Sequence, residues 1–103
     1  MPKGYWIGRV DVRDDEAYKK YVAANAMAFT KFGARFIVRG GAYEAVEGTA
    51  RARNVVIEFP SYEVALACYR SPEYAQAMSF RREAAEADIV VIEGYDGPQP
   101  GEA

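Results

Sequence analysis

Arg39, Glu44, Glu47, Arg51 and Arg53 crowd one short stretch of the chain. A guanidinium held at a strand end presents a planar fork that matches a carboxylate or a phosphate. Arg39 closes one apolar run and Arg53 opens the next, so a hairpin brings the two to one end of a sheet. Arg81 joins this set from the second half of the chain. Two chemistries fit the pattern. One is a binding site for a small anion, with Glu44 or Glu47 as a base if burial raises its pKa. The other is an Arg/Glu network that only fixes the polar connection between the two runs.

Tyrosines form the second set. Tyr69 and Tyr74 flank Ser71-Pro72, and Tyr18 and Tyr21 stand earlier. Phenols can orient an aromatic or enolic substrate or act as acids. Aromatics at helical spacing are more often core. A helix broken at Ser71-Pro72 would open a mouth with Tyr74 at its edge.

Other chemistries are disfavoured by what the chain lacks. There is no histidine. The commonest general base, metal ligand and haem axial ligand are therefore missing, and no haem, metal or other cofactor is expected. Glu44, Glu47, Glu58 and Asp88 have no recognised metal-ligand spacing. Ser61 and Ser71 lack a partner to activate them and read as helix caps. Cys68 is the single cysteine, which excludes an intrachain disulfide and reads as a small buried hydrophobe. Gly40-Gly41 is a strand terminator rather than a phosphate loop.

The elements that position these groups follow from pattern. The chain has 103 residues, half of them apolar, and a formal charge of −2. One domain over 1–96 is expected, with 97–103 as a disordered Pro/Gly tail. Without a basic excess, nucleic acid is not an expected partner. No run reaches membrane-spanning length and the apolar start is too short for a signal peptide, so a reduced cytoplasmic protein is expected.

Residues 4–12 alternate as a strand, with Trp6, Val10 and Val12 on one face and Tyr5, Ile7 and Arg9 on the other. Asp14-Asp15-Glu16 opens a helix whose stripe runs through Tyr18, Tyr21, Val22, Asn25, Phe29 and Phe32, and Gly33 ends it. Asn25 is the odd polar member, read first as an amide satisfied by nearby backbone, with a ligand contact as the less favoured alternative. Residues 34–39 form the second strand, with Arg35, Ile37 and Arg39 opposite Phe36 and Val38. Residues 53–59 form the third. Ser61 caps a helix and Ser71-Pro72 restarts it, with a stripe through Tyr74, Ala75, Met78, Arg82 and Ala85. A fourth strand covers 89–93.

The order is β-α-β-β-α-β, an α+β ferredoxin-like pattern with a four-stranded antiparallel sheet and helices on one face. Both strand faces are apolar, so a second copy of the sheet is the economical cover, and a homodimer is expected.

The chain resembles the DUF1330 family of the dimeric α/β-barrel superfamily. The resemblance is carried by Lys3-Gly4-Tyr5-Trp6, Val10-Asp11-Val12, the 36–41 run, Glu44, Glu47-Gly48, Arg53, the 55–61 run, Tyr69, Ser71-Pro72-Glu73-Tyr74, Arg81, Ala84-Ala85 and Glu93-Gly94. Cys68 departs from it, standing where the family places Trp. The resemblance implies a homodimeric barrel and leaves the reaction open. The wider superfamily includes cofactor-free monooxygenases, lactone isomerases and haem enzymes. The expectation is a binder of a small anionic or aromatic metabolite, with cofactor-free isomerase or oxygenase chemistry as its catalytic form. Arg39, Arg53 and Arg81 would position the ligand, and Tyr69 and Tyr74 would line the site. A non-catalytic binding or stress-related module with a structural Arg/Glu network is the alternative.

Overall fold

The computed structural model describes residues 2–102. Its elements are β1 (Gly4–Val12), α1 (Asp15–Lys31), β2 (Arg35–Arg39), β3 (Arg53–Phe59), α2 (Tyr62–Tyr69), α3 (Pro72–Ala84) and β4 (Ala85–Glu93). The sheet is antiparallel throughout, in the order β2-β3-β1-β4. This is the ferredoxin-like arrangement, with its second helix divided into α2 and α3.

Each boundary has a local cause. Asp14 caps α1 by accepting the Ala17 N–H at 3.1 Å, and Asp15 and Glu16 sit where the helix dipole favours negative charge. After α1 the chain leaves through Gly33, whose φ of 70° is disfavoured for any residue with a Cβ. Ser61 accepts the Val64 N–H and caps α2. Ser71 does two jobs at the break. Its hydroxyl donates to the Cys68 carbonyl at 2.7 Å and accepts the Tyr74 N–H at 3.1 Å, so one side chain ends α2 and begins α3.

The core lies between the helices and the face of β1 that carries Trp6 and Val10. Trp6 is its centre. The rings of Phe29, Phe59, Tyr69 and Tyr74 lie 5.3, 5.2, 5.6 and 4.9 Å from it, centroid to centroid. Its indole N–H donates to the Ala65 carbonyl at 2.8 Å, which satisfies the one polar atom that such deep burial would strand. Cys68 packs beside this cluster as a hydrophobe, and burial pushes its thiol up to about 12.

The last strand differs from its expected limits. It begins at Ala85, where a continuing helical stripe was expected, and not at 89. The reason is pairing. β1 is nine residues long and finds a β4 partner at every position from Gly4 opposite Glu93 to Val12 opposite Ala85. That ladder outweighs the helix propensity of Ala and Glu. On α3 it is Arg81, not Arg82, that turns inward. The terminal residues 97–102 include a turn in which the Tyr95 hydroxyl donates to the Pro98 carbonyl, and Ala103 lies outside the described residues.

The outer face of the sheet carries no helix. Tyr5 pairs with Ile92, Ile7 with Val90 and Val56, and Val56 with Val38. They form a continuous apolar surface, on which Ile7 is 40% exposed and Val90 55%.

Candidate functional site

A one-residue irregularity in β2 builds the site. Phe36 pairs with Ile57 and Val38 with Val56, which leaves Ile37 as an extra residue in the strand. Such a bulge reverses the alternation beyond it. Arg39 then pairs with Val55 and joins the face of Phe36, toward the helices. Strict alternation had put Arg39 on the opposite face from Phe36. Its guanidinium carbon sits 4.1 Å from the centroid of the Phe36 ring, a cation–π contact.

Arg53 approaches from β3. Its guanidinium lies 5.7 Å from the Tyr18 ring centroid. Gly40 makes room for it. A Cβ there would meet Arg53 Nη1 at 2.8 Å, and Gly40 also turns the chain at a φ of 65°. Between α1 and these strands lies a small cavity of about 30 Å³. Tyr18, Tyr21, Val22, Asn25 and Phe29 of α1 form one wall. Phe36 and Arg39 of β2 and Arg53, Val55 and Ile57 of β3 form the other. That is about a tenth of the roughly 300 Å³ at which ligand pockets begin, room for one or two waters or for the polar head of a ligand that otherwise lies at the mouth.

The electrostatics of this cavity are one-sided. No carboxylate among the described residues lies within ion-pairing distance of Arg39, Arg53 or Arg81. Nε of Arg53 and of Arg81 is buried without a hydrogen-bond partner. Buried arginines are normally paired, because desolvating an unpaired cation is costly. The lining supplies two guanidiniums, two phenols and one amide, and no carboxylate to serve as base. Deeper in, the Tyr21 and Tyr74 hydroxyls share a 2.8 Å hydrogen bond. Burial pushes Tyr21 well above the usual phenol range, and Tyr74 moves the same way for the same reason. Both stay protonated at neutral pH and can only act as donors or acceptors of hydrogen bonds, not as bases.

The structure divides the residues expected at the site. Arg39 and Arg53 come together, with Arg39 open to solvent at the mouth. Arg81 is only 7% exposed and faces a second small space lined by Tyr18, Tyr21, Val55 and Ile57, all four of which also line the first cavity. Its guanidinium lies 5.9 Å from the Tyr21 ring centroid. Tyr74 does not stand at the edge of a mouth. It is fully buried, held by Trp6 and by the Tyr21 hydroxyl. Tyr69 lines an open groove at the Ser71-Pro72 break, away from Arg39 and Arg53. Glu44 and Glu47 lie exposed in the 40–52 connection and pair with none of the arginines, so the burial that a base role requires is missing.

Arg51 makes the arginine network that the sequence suggested for this connection, with different partners. It binds Asp11 at 2.8 Å, Asp88 at 2.9 Å and Glu86 at 3.6 Å. Asp11 also accepts the Ala52 N–H at 2.9 Å. These carboxylates come from β1 and β4, remote in sequence. The residues that sequence reasoning kept in the core, Tyr18, Tyr21 and Asn25, line the arginine cavity instead. Only the polarity of Asn25 on an apolar stripe signalled it.

An α+β protein with the ferredoxin-like fold and a cationic cavity between its helix layer and sheet is the class these features define. The sequence matches the family called Domain of unknown function (DUF1330) over residues 3–95, and the chain belongs to that family. No curated protein matches it. Among solved structures it is similar to a protein of unknown function from Rhodopseudomonas palustris, with a TM-score of 0.75 and 17% identity over 93% of this chain and 85% of that one. SnoaB, a cofactor-independent oxygenase from Streptomyces nogalater, superposes with a TM-score of 0.64 at 12% identity over 99% and 100% of the two chains. A dimeric protein of unknown function with a ferredoxin-like fold from Bacteroides fragilis gives 0.52 at 17% identity, over 88% and 95%. At these identities the likeness is one of fold.

Proposed function

We propose that this protein binds a small anionic metabolite, aromatic or aliphatic, in the cavity between α1 and the β2–β3 hairpin. Arg39 and Arg53 are its primary anchors. The observation that carries the reading is that both guanidiniums line the cavity while no protein carboxylate pairs with either. An anionic ligand would satisfy the forks and offset the cost of holding them there. Arg81 adds positive potential from behind Tyr21. Tyr69 and Tyr74 act at one remove, by fixing the Trp6 cluster and the Tyr21 hydroxyl.

The catalytic extension of this reading is a cofactor-free isomerase or oxygenase step. The lining holds donors and no carboxylate, so the protein's part would be to stabilise an oxyanion or enolate that forms on the ligand. The activity of SnoaB belongs to that protein and reaches this chain only as an analogy. A non-catalytic binding module is the second reading, favoured by the missing base.

The assembly that fits is a homodimer joined through the outer faces of two sheets. Its motive is the continuous apolar surface of Tyr5, Ile7, Val38, Val56, Val90 and Ile92. Light scattering at micromolar concentration is expected to give twice the chain mass, and a persistent monomer overturns this assembly. No helix of the described residues is long and apolar enough to cross a membrane. One buried free thiol is at home in a reducing compartment, which supports the cytoplasm as the location.

Thermal melts against a panel of small carboxylates and phosphates test the binding reading. A ligand at a hundred times its Kd stabilises by about 2.7 kcal/mol. The wild-type protein is expected to shift with at least one acid, and Arg39→Ala is expected to lose that shift while melting near the wild-type temperature. A panel without effect, or an equal shift in Arg39→Ala, overturns the site.

A further inference from the structure

Asn25 is 6% exposed and stands on the inward stripe of α1 with Tyr21, Ala28 and Phe29. The sequence favoured an amide satisfied by neighbouring backbone over a ligand contact. In the structure its side chain makes no hydrogen bond with any described residue. It faces the cavity that Arg39 and Arg53 share. Its amide atoms are not among the buried unpartnered ones, so they reach the cavity space, where water or a ligand group can pair with them.

None of its neighbours is bonded to it. A guanidinium has donors and no acceptor, so neither arginine can take the amide's N–H. The inward phenol on the same helix, Tyr21, is already bonded to Tyr74. The amide therefore has one acceptor and two donors free, aimed into a space whose other polar groups select an anion.

We propose that Asn25 reads a neutral hydroxyl on the ligand, set beside the anionic group, and that the ligand class is the hydroxy acids. This rests on the anion-binding reading of the cavity and narrows it. The carboxylate occupies the arginine forks. The adjacent hydroxyl donates to the amide oxygen and accepts from the amide nitrogen. A carbonyl uses only the second of these bonds, and a hydrogen uses neither. Because a hydroxyl both donates and accepts, the match holds for either orientation of the amide.

The test is calorimetric titration of the full-length protein with pairs of acids that differ by the one hydroxyl, lactate against propionate and mandelate (both enantiomers) against phenylacetate. The wild type is expected to favour the hydroxy acid of at least one pair by about three- to tenfold, the value of one or two net hydrogen bonds. Asn25→Leu is expected to erase that preference. Arg39→Ala is expected to weaken both acids alike. If both acids bind equally well to the wild type, Asn25 serves only solvent in the cavity and the proposal is overturned while the anion site stands. That comparison decides even if Asn25→Leu fails to fold. If the preference survives in Asn25→Leu, another group reads the hydroxyl and the proposal is overturned. If neither acid binds, the anion reading falls and takes the proposal with it.

Discussion

Two sets of arginines lie on opposite faces of one sheet. On the outer face, Arg51 is surrounded by Asp11, Asp88 and Glu86, and its charge is matched several times over. On the helix face, Arg39, Arg53 and Arg81 have no carboxylate within reach. The outer set ties the end of the 40–52 connection to β1 and β4, with Arg9 holding the Thr49 carbonyl from the same face. The inner set meets the rings of Phe36, Tyr18 and Tyr21 and no carboxylate. Charge that is matched within the chain contributes to the fold. Charge left without a counter-ion at a cavity remains available to a ligand.

The comparison is broken most directly at Arg53. Arg53→Met is expected to weaken binding of the best small acid by roughly tenfold or more, the value of about 1.5–3 kcal/mol for a hydrogen bond to a charged group. Its melting temperature is expected to hold or rise, because an unpaired cation leaves the interior. A clear fall in melting temperature with unchanged binding would move Arg53 into the structural set.

Tyr21→Phe sharpens it, since the Tyr21–Tyr74 hydrogen bond is a polar contact on the helix face made for the fold. Its loss is expected to cost about 1 kcal/mol in chemical denaturation. The pH dependence has a definite sign. Burial raises both phenols above their unfolded values. The neutral forms thus contribute stability that is present below about pH 10 and lost as pH rises through the folded pKa values. Tyr21→Phe is expected to flatten that alkaline decline, and an unchanged alkaline limb would count against the pairing.

Arg51→Met carries the smallest expected effect. The network is exposed, so the melting temperature is expected to fall slightly in dilute buffer and not at all in molar salt. The hydrogen bond from Ala52 holds Asp11 below the usual carboxylate range against the opposing effect of desolvation, and Arg51 adds to the lowering. A depressed carboxylate contributes stability above its unfolded pKa and loses it as pH falls through the folded one. The acid limb below about pH 4 is therefore expected to be shallower in Arg51→Met than in the wild type. A large effect on anion binding would merge the two arginine sets.

Most of the fold was legible because its signals are local. Asp14, Ser61 and Ser71 cap the helices they precede, Pro72 fits the start of α3, and Gly33 turns the chain out of α1. Alternation along β1 separated the Trp6 face from the Tyr5 face correctly. Local propensity failed at Ala85, where pairing with β1 extended a strand into an alanine- and glutamate-rich segment.

The site was legible only as a set of residue types. That Arg39 and Arg53 would share one end of a hairpin followed from their places at strand ends. Which face Arg39 took did not, because Ile37 carries no sign of being a bulge and a slip of one residue reverses every side chain beyond it. The partners of Arg51 were invisible too, since Asp11 and Asp88 meet it only across the assembled sheet. Asn25 belongs to both accounts. The sequence by itself determined that a polar amide stands on the apolar stripe of a helix. Only the tertiary structure decided that the amide would be unpartnered, because burial and hydrogen bonding depend on what packs against the helix, here a cavity walled by arginines from two other strands.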